Sequence, residues 1–196
     1  MIGFFPQPYE DELSYSWFAR YLVCTGYTSA ADVYLDLYGK KNIRPSVELL
    51  NDLQGEVKEV LQKYKPLKQI ILEHTMFPEY ARFIDPDKRD RLLEECDFTR
   101  GNWINNLMIP VSSKERHLKY CPMCVKEDRE QYGETYWHRM HQINGITICV
   151  KHKLYLQDSS IVINRNLTRL KPAEIIIQQS EDSCPCEDEV IIKLAE

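Results

Sequence analysis

Apolar residues recur every three to four positions through the first hundred residues, the spacing of a helix with one buried face. Leu13, Trp17 and Tyr21, flanked by Phe18 and Leu22, mark a first helix that Gly26 stops. Ser29, with Asp32 three positions later, opens a second that carries Val33, Leu35 and Leu37 to Gly39. Ser46 starts another with Leu49, Leu50 and Leu53. Val57, Val60, Leu61 and Tyr64 continue after Gly55 as far as Pro66. Leu67, Ile70, Ile71 and His74 make one more short helix, closed by Pro78. Asp85-Pro86 is a helix opening, because a proline in the first turn forfeits no needed hydrogen bond. Leu92, Leu93 and Cys96 then face the core, as does Cys24 in the first helix.

From about residue 110 the period changes. Short alternating or continuous apolar runs appear at 146–149, 154–156, 161–163, 175–177 and 190–192, bounded by polar turns. They read as small strands. The chain therefore divides into a helical region, 1–110, a smaller α+β unit, 111–172, and an acidic tail, 173–196, that runs into a further C-terminal part.

The smaller unit carries the chemistry. Cys121 and Cys124 stand two residues apart, twenty-four residues follow, and Cys149 and His152 form a second pair of the same spacing. Two such pairs can close a tetrahedron around one metal ion. Three thiolates and one imidazole saturate Zn2+ and leave no position for a reacting water, which makes the site structural. Pro122 stiffens the first turn. His138 and His141 compete for the fourth position, but the Cys-x-x-His turn brings both its donors together at little cost in chain entropy. The fold class is thus mainly α with a small zinc-ribbon-like α+β unit. Cys184 and Cys186, in "SCPCED", read as free thiols in a loop rather than half of a second site.

Charge refines this picture. The net charge is −5, which argues against a dedicated nucleic-acid binder. Its distribution is uneven: −5 over residues 1–99, +6 over 100–171 and −6 over 172–196. The cations of the middle stretch include Arg100, Lys114, Arg116, Lys119, Arg139, Lys151, Lys153, Arg165, Arg169 and Lys171. They suit DNA phosphates, a solvated face or an acidic partner equally well. No apolar run reaches the length of a membrane span. The opening lacks the basic segment of a signal peptide, so a cytoplasmic setting is expected. No phosphate loop, nucleophile elbow or paired-carboxylate motif marks an enzyme. His138, Glu134 and Asp128 could be drawn as acid–base groups, but a saturated zinc gives them nothing to activate.

Three stretches carry a family likeness: "FFPQPYEDELSYSWFARY" with "RYLVCTGY" overlapping its end, "LEHTMFPEYARF", and "LKYCPMCVKEDREQYGETYWHRMHQINGITICVKHKLYL". Within the last, Tyr120-Cys-Pro-x-Cys, the Tyr136-Trp137 pair, His141, and Cys149-x-x-His152 ahead of a leucine occur in combination. The chain resembles the TnsD/TniQ family of transposon target-site selection proteins up to about residue 170. The resemblance implies a non-enzymatic selector in bacterial transposition. It implies that Cys121, Cys124, Cys149 and His152 hold one structural Zn2+. It implies recruitment of an AAA+ ATPase regulator, TnsC, to target DNA, with DNA contacted mostly through a C-terminal part beyond this chain. The ring-rich first segment (Phe4, Phe5, Tyr9, Trp17) is a candidate docking anchor for that partner, against the simpler reading that these rings are core.

Overall fold

The computed structural model describes residues 2–27, 29–50, 52–94, 115–163, 167, 169–178 and 184–195. The expectations for Cys96, Arg100, Lys114 and Arg165 lie outside these residues. Most of the described chain is helical: α1 (Ser14–Thr25), α2 (Ala30–Tyr38), α3 (Gly55–Gln62), α4 (Leu67–His74), α5 (Phe77–Ala81) and α6 (Pro86–Glu94) come first. Then follow β1 (His117–Tyr120), α7 (Pro122–Tyr132), a 3-10 turn (Met140–Gln142), β2 (Gln157–Val162), α8 (Ala173–Ile176) and α9 (Glu189–Ala195).

The caps follow the sequence. Gly26 and Gly39 end α1 and α2 in the left-handed region, at φ 65° and 67°, where a side chain is disfavoured. The Ser29 hydroxyl accepts from Ala31 N to open α2. Asp85 Oδ1 accepts from the amides of Asp87 and Lys88 at the start of α6.

Four expectations are corrected. Residues 46–50 and 52–54 form bends, not a helix. Their backbone groups bond elsewhere, Glu48 O accepting from Met76 N and Gln54 N donating to Leu37 O, while Leu49, Leu50 and Leu53 are buried. Pro78 does not close α4; it sits in the first turn of α5, where its missing N–H is not needed. The apolar runs at 175–177 and 190–192 are largely helical. Asp188 Oδ1 caps the second of these by accepting from Val190 N and Ile191 N. Cys24 is exposed, on the outer face of α1.

One apolar cluster runs from Phe5, Leu13 and Trp17 through Leu50, Leu61 and Ile70 to Leu118, Val125 and Trp137. Phe5 and Trp17 are buried in it, so those two rings are core, whereas Phe4 is 63% exposed. Phe5 stacks on Tyr21 at 4.5 Å and meets Trp17 edge-on at 5.4 Å. Beside this cluster the segment before α1 is sewn to the segment after α7. Leu13 N donates to Trp137 O at 2.9 Å and Arg139 N to Asp11 O at 2.7 Å. Trp137 N donates to Ser16 Oγ at 3.0 Å. Asp11, at φ 52°, accepts from Arg139 Nε and Met140 N with its two carboxylate oxygens.

Arg20 locks this seam. Its guanidinium bonds Glu12 Oε2 and Glu134 Oε1, each at 2.8 Å, and the Gln7 carbonyl at 3.1 Å. It also lies 3.6 Å from the centre of the Tyr9 ring. Burial raises the Glu12 carboxyl to about 7, against the opposing pull of Arg20. Arg20→Met is expected to cost about 3–5 kcal/mol at neutral pH, because it strands the buried Glu12 charge. A folded-state pKa above the unfolded one means the folded form holds its proton longer. Without Arg20 to oppose burial the Glu12 value rises further, so the variant's deficit should vanish below the ordinary carboxylate range and grow as pH rises above it. Urea unfolding of both proteins at pH 3.5 and 7.5 measures the difference.

Candidate metal centre

β1 delivers the chain to Cys121, which occupies the N-cap position of α7. Pro122 takes the first helical position, and Cys124 follows within the first turn. Both sulfurs thereby stand at the positive end of a helix. The second pair sits on a tight reversal. Cys149 N donates to Leu154 O, and Lys153 N donates back to Cys149 O, each at 2.8 Å. Lys153 adopts φ 56° to complete the turn. The runs expected as strands at 146–149 and 154–156 flank this reversal but pair through a single bridge, Ile148 with Tyr155. The regular pairing is instead β1 with β2, antiparallel, with Lys119 opposite Asp158.

The four predicted side chains converge. The ligand atoms of Cys121, Cys124, Cys149 and His152 all lie within 4.8 Å of one another. His152 Nδ1 is 3.5, 3.4 and 3.7 Å from the sulfurs of Cys121, Cys124 and Cys149. Cys124 and Cys149 sulfurs are 3.7 Å apart. A tetrahedron with ordinary zinc bond lengths has edges of about 3.8 Å between sulfurs and about 3.6 Å between sulfur and nitrogen. The cluster could therefore hold one metal ion, and its size and donor set are compatible with zinc. Hydrogen bonds from the Cys121 and Cys124 thiols hold Cys149 far below the usual thiol range. The same crowding pushes Cys124 up. Three sulfurs packed this closely can all ionise only around a cation.

His152 is held from behind. Its Nε2 lies 3.0 Å from Glu127 Oε2, close enough for the carboxylate to orient the ring while Nδ1 faces the sulfurs. Lys151 Nζ donates to the same oxygen at 2.6 Å. The Lys151 and His152 contacts together hold the Glu127 carboxyl below its ordinary value. Sequence reasoning missed Glu127, because nothing in its spacing distinguishes it from the other acids of α7.

The competing histidines are near but differently engaged. His141 is buried, with Nε2 3.8 Å from the Cys124 sulfur. Burial lowers its pKa, keeping it neutral, so a neutral imidazole backs the cage. His138 Nε2 bonds Asp128 Oδ2 at 2.9 Å and its ring stacks on Tyr136. Asp128 and His138 line a cleft of ≈ 580 Å³ beside the cage. Glu134, the third group drawn as acid–base, is bound to Arg20.

Among the described residues, several cations of the basic stretch are engaged within the fold. Arg116 bonds Glu48 and Arg139 bonds Asp11. Lys151 holds Glu127, and Lys119 donates to the Ile146 carbonyl.

With an ion bound, His152→Ala is expected to lower metal content and His138→Ala to leave it unchanged, as read by mass spectrometry of the purified proteins. Glu127→Gln should weaken metal affinity by roughly ten- to a hundred-fold, measured against a competing chelator.

The TniQ family model matches residues 3–156. The transposon Tn7 transposition protein TnsD of Escherichia coli is 29% identical over 152 residues, which is 76% of this chain and 30% of that protein. The chain thus spans about a third of the length of the relative it matches. The matched region takes in α1 to α7, all four residues of the cage and the Arg20 seam, and the chain belongs to the TniQ family.

Proposed function

We propose that this chain is a target-site selector in bacterial DNA transposition, which binds an AAA+ regulator of the TnsC kind and brings it, and through it the transposase, to target DNA. Membership of the TniQ family and the likeness to a transposition protein support the transposition role. The observation that carries the mechanism is the cage itself. Four protein donors at tetrahedral spacing fill the coordination of one Zn2+, so the ion works as a staple and no water is activated. Its Mechanism is mechanical. Cys121 and Cys124 at the head of α7, with Cys149 and His152 on the reversal, fix two loops that bury little apolar surface of their own. This chain's work is then recognition, with no bond made or broken.

Contact with target DNA is part of the proposal. Among the described residues no helix is long and apolar enough to cross a membrane.

Purified chain, mixed with an AAA+ regulator of the TnsC kind, ATP and a DNA duplex, is expected to co-elute with the regulator. No association under those conditions would sink the adaptor reading. Tight, sequence-specific DNA binding by this chain alone would favour a stand-alone zinc-ribbon regulator instead. Cys121→Ser and Cys149→Ser should each release the metal and lower solubility. Less than about half an equivalent of zinc in well-folded wild-type protein would contradict a structural ion.

A further inference from the structure

Three cations, two from the helical part and one from the zinc half, gather at one place in the fold. A cleft of ≈ 600 Å³ opens where the first turn of α2 faces the turn after it. Lys41, Asn42 and Arg44 line one side, and Arg169 lines the other. Among the described residues no aspartate or glutamate lines it. All three cations are exposed. This sets them apart from Arg116, Arg139 and Lys151, which are neutralised by acids of the same chain.

The cleft is built rather than incidental. Arg169 is separated from Lys41 by more than a hundred residues, yet its backbone is held at two points. The Tyr15 hydroxyl donates to Arg169 O at 2.9 Å, and Leu170 N donates to Tyr34 Oη at 2.9 Å. Both tyrosines are buried, so the segment carrying Arg169 is anchored to α1 and α2. Tyr34 itself lines the cleft, as does Ser29 at the cap of α2. The positive end of α2 adds to the same field.

We propose that this cleft seats phosphodiester groups of DNA. The proposal rests on the reading above that the chain works on DNA, and it assigns the contact to three residues. An acidic chain gains nothing from its net charge on approaching DNA, so binding must come from a local field with no acid in it. Three cations converging on one opening, with an amide side chain between them, suit adjacent backbone phosphates. They read no base sequence.

The test compares two triple variants of equal net charge. Lys41→Gln, Arg44→Gln and Arg169→Gln empty the cleft. Lys63→Gln, Lys68→Gln and Lys88→Gln remove three exposed cations from elsewhere. Circular dichroism and metal content establish that both sets fold as wild type. Binding to a fluorescent duplex is measured over a series of salt concentrations. The cleft variant is expected to lose about one unit of slope in log K against log salt per cation, about three in all. It should bind at least about ten-fold more weakly near physiological salt, while the control set keeps the wild-type slope to within about one. Equal losses in both sets, or an unchanged slope in the cleft variant, overturn the assignment. So does a cleft variant that loses binding of a fluorescent nucleoside triphosphate but not of DNA, which makes the seat one for free phosphates. If wild type itself shows no DNA binding, alone or with the AAA+ regulator, the DNA reading fails and takes this assignment with it.

Discussion

The fold turns on a buried guanidinium. Arg20 lies on α1 with its side chain only 6% exposed, and an isolated charge at such a position is costly. It is tolerated because its donors are met from both directions along the chain: Gln7 and Glu12 just upstream, and Glu134 far downstream. That requirement fixes where the segment after α7 must lie. Once it lies there, Leu13, Asp11 and Ser16 can exchange hydrogen bonds with Trp137, Arg139 and Met140. The 3-10 turn that follows carries His141 against the Cys124 sulfur. The metal cage and the helical core are thus positioned by one electrostatic necessity, and neither is independent of the other.

The cage was plain in the sequence because its geometry is local twice over. Each ligand pair sits on a single turn, so spacing alone reveals it. Spacing favours His152 over His141 for the same reason of short closure; His152 Nδ1 lies within 3.7 Å of all three sulfurs, and His141 Nε2 lies 3.8 Å from that of Cys124. What surrounds the cage was not legible. Glu127 reaches His152 across two elements, and Arg20 finds Glu134 across more than a hundred residues. No periodicity encodes such meetings. An arginine inside an apolar helical stretch was nevertheless a signal that a buried counter-charge had to exist.

Among the elements, those with caps in the sequence were found where they were expected. α1 and α2 end on Gly26 and Gly39, and α2 begins on Ser29. The failures share one cause. Around Leu49, Leu50 and Leu53 the backbone is satisfied by α2 and by the α4–α5 junction, so burial came without a helix. The isoleucine and valine runs near 175 and 190 have strand-like composition, but Pro172 and Asp188 supply helix starts that outweigh it. In each case a tertiary or capping bond, rather than the side-chain pattern, decided the backbone.

The seam between Leu13 and Trp137 has a consequence for biosynthesis. A chain leaving the ribosome exposes α1 long before Glu134 and Trp137 emerge. Until they do, Arg20 has only Gln7, Tyr9 and Glu12 for company, Leu13 N lacks its carbonyl, and the face of Trp17 and Phe5 lacks part of its cover. The helical portion therefore has reason to stay loose and sticky during translation, and to settle only when the cage segment arrives. Cysteine-poor in its early part and thiol-rich in its late part, the nascent protein completes the cluster that could hold a metal ion at about the moment it can first close.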